Sequence, residues 1–191
     1  MQFRMDEIPK TFWSEYTDAA FSSCINCNRD LLGSTTAESG CQYMVQKVIV
    51  RSESVFEFAM CAECAVSMHY EMSEESRTAL SQYLSTAKLM ASGPKVPPED
   101  QPVEIECWIA ACRMCGSPRE ECPRHTLIGH FLGNSIVIAQ VPLLICETCE
   151  LSVSELVSSE TRDRWDQFVE DNFDGPPGLE IDTPDWRPVL V

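Results

Sequence analysis

Two stretches of the chain are rich in apolar residues that favour strands, and each stretch predicts a β-hairpin. In the first, residues 42–51 and 54–60 are rich in Tyr, Val, Ile and Phe, as half-buried strands are. In the second, residues 126–131 and 135–145 repeat the pattern, and Gly133-Asn134 supplies residues that favour a turn. The chain therefore has strand-rich segments in both halves.

Helical spacing of apolar residues follows each hairpin. A stripe of Leu80, Tyr83 and Leu84 predicts a helix from an N-cap at Ser73 to about Met90. Equivalent residues recur at the same offset in the second half, and a shared register of this length indicates duplication of one structural unit. The equivalent residues are Ser158 as the cap, followed by Trp165, Phe168 and Val169.

The remaining segments are predicted to connect or flank the two units. Residues 1–23 are expected to be partly helical, because Phe12, Trp13, Tyr16 and Ala20 follow helical spacing. Four prolines between Gly93 and Pro102 favour an extended spacer. The predicted division is residues 1–90 for an N-terminal helix and the first unit, 91–103 for a linker, 104–173 for the second unit and 174–191 for an extended tail.

Cysteine spacing carries the chemistry. Four Cys-x-x-Cys pairs form two matching sets, with one pair before each hairpin and one at the start of the following helix. Two thiolates at this spacing hold one side of a tetrahedral metal ion, and a second pair completes the site. We expect two structural Zn²⁺ ions per chain, bound by Cys24, Cys27, Cys61 and Cys64 in the first unit and by Cys112, Cys115, Cys146 and Cys149 in the second.

Three further cysteines do not occupy matching positions in the two units. Cys41, Cys107 and Cys122 are expected to be unreactive thiols by default. Cys122 and His125 have ligand spacing, so a role in the second metal site stays open as an alternative.

Composition and charge limit the class of protein. The chain has 191 residues, of which 44% are hydrophobic, as in globular proteins. No apolar run predicts a signal peptide or a membrane span, so we expect a reducing, cytoplasmic location in which such cysteines bind metal. The formal net charge of −16 repels phosphate backbones and anionic lipid, which argues against nucleic acid and membrane partners.

Each unit begins with a tight turn that carries its first cysteine pair, called a knuckle below. The order of knuckle, hairpin and helix resembles the treble-clef zinc finger. The resemblance covers about residues 21–85 and 108–170 and depends on the eight paired cysteines. It implies an α+β protein with two small zinc-binding units, packed together or linked in tandem. Bacterial cysteine-rich proteins also look similar. Nuclease forms of the treble clef bring histidines to the hairpin and helix, and His125 and His130 have no counterpart in the first unit.

Two functional hypotheses follow. The first is a non-catalytic adaptor that binds another protein, with a basic partner as one option that the acidic charge allows. Its support is the closed four-cysteine pattern and the absence of a nucleophile–base motif or a phosphate-binding loop. The second is a redox-sensitive zinc switch or a thiol–disulfide protein, because a Cys-x-x-Cys pair at a helix N-terminus has a lowered thiol pKa.

Overall fold

Six antiparallel strands and five helices form the regular structure of this protein, in a computed structural model that describes residues 3–33, 40–86, 94–98, 100–139 and 141–173. The strands are β1 (Arg4–Glu7), β2 (Gln42–Val50), β3 (Glu53–Cys61), β4 (Arg124–Leu132), β5 (Ser135–Ile138) and β6 (Leu143–Cys146). The helices are α1 (Ala62–Glu71), α2 (Glu74–Thr86), α3 (Ile105–Trp108), α4 (Glu147–Ser154) and α5 (Ser159–Asn172). The α+β class is confirmed.

Strands from both halves of the chain belong to one sheet. β2 pairs with β3 along one edge and with β4 along the other, and β6 and β5 pair with successive parts of β4. The strand order is β1-β5-β4-β2-β3, with β6 beside β4. The central β2–β4 pair therefore joins the two duplicated units through a continuous backbone ladder, so neither unit has a separate sheet.

The strand register shows an approximate twofold relation between the units. Tyr43 on β2 lies opposite Cys61, and His125 on β4 lies opposite Cys146, so Tyr43 and His125 are equivalent positions. Across the central pair, Tyr43 faces Phe131 and His125 faces Ile49. These pairs are arranged symmetrically about the pairing of residues 46 and 128. A local twofold axis passes at that point, as expected for an antiparallel pair of equivalent strands.

The N-termini of α2 and α5 contact each other and follow the same approximate twofold relation. Ser73 and Ser158 are the N-caps of α2 and α5, as predicted, and their Oγ atoms lie 2.9 Å apart. The Ser73 N–H donates to Thr161 Oγ1 at 3.1 Å, and the Ser158 N–H donates to Ser76 Oγ at 2.9 Å. Each cap hydroxyl therefore accepts from a backbone donor of its own helix, and a hydroxyl in the first turn of the other helix accepts from the N–H of the cap residue.

The predicted N-terminal helix is wrong. The described part of residues 1–23 contains β1 and a single 3₁₀ turn at Lys10–Phe12. Phe12 is fully buried and contacts Phe131, whereas Tyr16, at the predicted helical spacing, is 95% exposed. The aromatic residues therefore do not share one face, and packing of Phe12 on the sheet outweighs local spacing.

The second hairpin is only partly as predicted. β4 and β5 form it, with Gly133 at the turn, but the strand expected over residues 135–145 is divided into β5 and β6. β5 departs from β4 to pair with β1, and β6 returns to the N-terminal part of β4. Pro142 lies in the interruption, where its lack of an N–H breaks the ladder.

The predicted strands 42–51 and 54–60 are confirmed, as are helices beginning after Cys61 and Cys146. Residues 94–98 of the expected linker have no helix or strand. The expected tail, 174–191, lies outside the described residues, as does the predicted end of the helix near Met90. The predicted division into a linker and a tail stays a prediction.

One buried polar residue lies on the twofold axis. Gln46 is fully buried, and neither atom of its amide has a hydrogen-bond partner among the described residues. Its neighbours across the sheet are Phe58 and Ile128, and Ile128 is also its equivalent in the second unit. An amide without partners in such surroundings is destabilising.

We predict that Gln46→Leu stabilises the protein. Removing both unpartnered groups is expected to raise the free energy of unfolding of the zinc-loaded protein by about 1–2 kcal/mol. Denaturant unfolding followed by circular dichroism measures this change. Gln42→Leu is the matched control, because Gln42 is exposed on the same strand and its substitution should leave the midpoint nearly unchanged. A loss of stability in Gln46→Leu would show that the amide has a partner.

Candidate metal centres

The first group of sulfurs lies where a knuckle, a strand end and a helix start meet. Cys24 and Cys27 belong to a tight turn, Cys61 ends β3, and Cys64 lies in the first turn of α1. Their four Sγ atoms all lie within 4.8 Å of one another, and those of Cys27 and Cys61 are 3.8 Å apart. The four cysteines predicted as one set therefore lie together as a cluster that could hold a metal ion.

The second group repeats the first. Cys112 and Cys115 belong to a knuckle, Cys146 ends β6, and Cys149 lies in the first turn of α4. These Sγ atoms also lie within 4.8 Å of one another, with 3.6 Å between Cys115 and Cys146. The two clusters are equivalent under the twofold relation of the sheet.

Sulfur spacing fits a tetrahedral ion. Zn–S bonds of about 2.3 Å at tetrahedral angles place neighbouring sulfurs about 3.8 Å apart. The observed separations of 3.8 and 3.6 Å lie close to this value. Thiolates fill all four positions, which is the donor set of structural zinc sites and leaves no position for a catalytic water.

Both knuckles have the same backbone geometry. The Asn28 N–H donates to the Cys24 carbonyl at 2.8 Å, and the Gly116 N–H donates to the Cys112 carbonyl at 2.8 Å. Asn28 and Gly116 have positive φ angles of 57° and 80°, a conformation that Asn and Gly adopt most readily. The turn that presents each first pair is thus encoded by the residue after its second cysteine.

Backbone N–H groups are directed at the sulfurs. The Cys61 N–H donates to Cys24 Sγ, and the Cys146 N–H donates to Cys112 Sγ, both at 3.3 Å. Such donors stabilise thiolates, as do the free N–H groups at the start of a helix. The Asn26 side chain adds a donor to Cys64 Sγ at 3.4 Å.

Each knuckle is also bonded to the sheet. The Ile25 N–H donates to the Ala59 carbonyl at 2.9 Å, and the Arg113 N–H donates to the Leu144 carbonyl at 2.8 Å. Ala59 and Leu144 lie two residues before the cysteines that end their strands. These hydrogen bonds therefore hold each knuckle against the strand that supplies the third sulfur.

The thiols within each cluster differ in acidity. Burial opposes ionisation of Cys24, but N–H donors from Cys61, Cys27 and Asn26 outweigh it and lower its pKa to about 7. A hydrogen bond with the Ser117 hydroxyl lowers the pKa of Cys115 to about 6. Burial raises the pKa values of Cys61 and Cys146 to about 12. Metal binding must therefore displace protons from the buried thiols.

Cys122 and His125 belong to neither cluster. Cys122 Sγ lies 3.3 Å from the Pro118 carbonyl, and His125 Nδ1 lies 2.9 Å from the Cys122 carbonyl. Cys41 and Cys107 are likewise outside both sets, with Cys107 exposed. The four-cysteine sets are complete without any of these residues.

Two polar residues beside the sulfurs were not predicted. The Asn26 amide contacts Cys64, and the Ser117 hydroxyl lies 3.2 Å from Cys115 Sγ. Both lie within or next to a Cys-x-x-Cys pair, so their position in the knuckle was an available signal. Hydrogen bonds of this kind orient ligands and adjust their basicity.

Comparisons with protein-family models, with curated proteins and with solved structures found no match to this chain. In the described part of the chain, no helix combines the length and the apolar character needed to cross a membrane.

We predict about two zinc ions per chain of reduced protein, measured by elemental mass spectrometry. Cys61→Ser and Cys146→Ser should each retain about one ion, because a three-sulfur site binds zinc far more weakly. Cys107→Ser is the matched control and should retain both ions, since Cys107 is exposed and outside the clusters. Equal metal content in all four proteins would contradict the assignment.

Proposed function

We propose that the protein is a non-catalytic, zinc-stabilised module that binds another protein. The proposal of structural zinc depends on the spacing of the four sulfurs in each cluster, which suits a closed tetrahedral site. A closed site gives folding energy to a small unit but offers no position for substrate. Catalysis by these metal centres is therefore not part of the proposal.

The treble-clef interpretation of each unit belongs to the same proposal. In both units a knuckle supplies two sulfurs, a strand end supplies the third and the first turn of a helix supplies the fourth. This order of elements supports the resemblance seen in the sequence. Because such units occur in proteins with many functions, the choice of function must depend on the molecular surface.

An exposed apolar groove supports the binding role. It has a volume of about 520 Å³ and lies between α1 and the N-terminal strand β1. Phe3, Met5 and Val66 line it with exposed fractions of 66%, 42% and 53%. Contiguous apolar surface of this kind is typical of sites that contact another molecule.

Strand β1 adds a second recognition feature beside the groove. It lies at one end of the strand order and, among the described residues, pairs only with β5. An extended peptide can pair with such an edge while its side chains enter a neighbouring groove. The net charge of −16 favours a partner segment with basic residues around an apolar side chain.

We predict that Val66→Glu abolishes partner binding without loss of zinc, because a carboxylate in the groove opposes burial of an apolar side chain. Val55→Glu is the matched control, since Val55 is 58% exposed on β3, outside the residues that line the groove. The test is affinity capture from cell extract, with quantitative mass spectrometry of wild type and both variants. Proteins lost only with Val66→Glu support the groove; identical sets from all three proteins would refute it.

A redox-sensitive zinc switch is the second candidate, and exposure of one sulfur in each cluster favours it. Cys27 and Cys115 are exposed, whereas Cys24, Cys61, Cys112 and Cys146 are buried. Hydrogen peroxide can reach an exposed thiolate and oxidise it to a sulfenic acid. The sulfenic acid then condenses with a neighbouring thiol to a disulfide and water, and the ion loses two of its ligands.

The two candidates differ in their response to peroxide, which a zinc-binding dye and a thiol count can follow. The interaction module is expected to keep both zinc ions at one to two equivalents of peroxide. Prompt release of zinc, with two thiols lost per ion and recovery on reduction, would favour the switch instead.

A further inference from the structure

A second cavity lies on the sheet face that carries Lys47, Ile49, His125 and Leu127. Its volume is about 750 Å³, and neither four-sulfur cluster contributes a ligand to its lining. Residues 47 and 127 lie opposite each other on β2 and β4, as do residues 49 and 125, so their side chains share this face. The cavity therefore spans the central strand pair.

Cations from distant segments converge on this cavity. Lys10 follows β1, Lys47 lies on β2, Arg51 lies in the β2–β3 turn and Arg119 follows the second knuckle. Two carboxylates, Glu15 and Glu120, also line it, and Glu57 and Glu106 pair with Lys47 and Arg119 from just outside the lining. The whole chain has 14 Lys and Arg residues against 30 acids, so four cations around one cavity are a local concentration.

The cations differ in their availability. Lys47 is held by Glu57 at 3.2 Å and donates to the Trp13 carbonyl, so it is already paired. Arg51 has no ion pair or side-chain hydrogen bond within the described ranges. Lys10 lies over the Trp13 ring at 5.4 Å, a contact that leaves its ammonium donors unused. Arg119 pairs with Glu106 at 3.2 Å, in an exposed contact.

Arg51 occupies a backbone position that disfavours it. The turn between β2 and β3 consists of Arg51 and Ser52, with φ angles of +56° and +99°. At the equivalent turn between β4 and β5 the first residue is Gly133, with φ +53°. Glycine adopts this conformation without steric cost, whereas Arg and Ser do not. A guanidinium kept at a strained position beside a cavity points to a role in binding.

His125 supplies an independent observation. It is 5% exposed, lines the cavity, and has no hydrogen-bond partner for Nε2 in the described structure. Its Nδ1 lies 2.9 Å from the Cys122 carbonyl, which only accepts, so Nδ1 carries the proton of a neutral ring. Nε2 is therefore a buried acceptor without a donor among the described residues, in a side chain that forms part of the cavity wall.

We propose that this cavity binds the phosphate group of a small phosphorylated molecule. Arg51 and Arg119 offer planar donor pairs that suit a phosphate, and Lys10 adds a third positive charge. The volume exceeds that of phosphate alone and leaves room for a hydroxyl-bearing remainder near His125. The site is separate from the apolar groove and does not depend on the protein-binding role.

The test is titration of the zinc-loaded full chain with inorganic phosphate and then with glycerol phosphate, at constant ionic strength. Arginine side-chain Nε–H resonances report binding. Saturable shifts are expected, with tighter binding of glycerol phosphate. Arg51→Gly is expected to weaken binding at least tenfold while raising the unfolding midpoint, because glycine relieves the strained turn. Arg119→Gln should weaken binding in the same direction.

Lys95→Ala is the matched control, because it removes one exposed cation outside the cavity lining. It should leave phosphate affinity unchanged. The proposal is overturned if neither phosphate compound gives saturable shifts. It is also overturned if Arg51→Gly binds as tightly as wild type, since Arg51 would then not contact the phosphate. Equal weakening by Lys95→Ala and Arg51→Gly would overturn it too, since only overall charge would then matter.

Discussion

Each unit depends on a cluster of four cysteine sulfurs, to which backbone N–H groups also donate. At Cys24 and Cys112 the sulfur accepts from the N–H of the cysteine that ends a strand, and the same strand continues into the helix that holds the fourth sulfur. A bound dication would thus join knuckle, strand and helix at a single atom. One core cluster contains residues of both halves, so such a link would add stability to packing that the two units already share.

Duplication places such a cluster at two equivalent points of one sheet. The β2–β4 ladder and the reciprocal caps at Ser73 and Ser158 lie on a common twofold relation. The departures from symmetry are where function is most readily sought. Gly133 has Arg51 as its equivalent, and β1 extends the sheet on the side of the second unit only. Both units thus share a four-cysteine cluster that could hold a metal ion, and the proposed binding surfaces involve positions where the units differ.

Features that depend on neighbouring residues in the sequence were predicted correctly. The two cysteine clusters followed from Cys-x-x-Cys spacing, the β2–β3 hairpin from its Tyr, Val, Ile and Phe residues, and the caps from Ser73 and Ser158 at matching offsets. Tertiary packing decided the rest. Phe12 has helical spacing but fills a site against Phe131, and β5 leaves β4 to pair with β1. No local pattern indicates that β2 and β4 pair with each other, since that contact joins residues about 80 positions apart.

Zinc K-edge X-ray absorption on the purified, reduced protein identifies the atoms bound to the metal. Four-cysteine sites should give a single shell of four sulfurs at about 2.3 Å, with no nitrogen or oxygen contribution. A mixed shell that contains nitrogen or oxygen, or protein that holds no zinc while all its cysteines react freely with a thiol reagent, would contradict it.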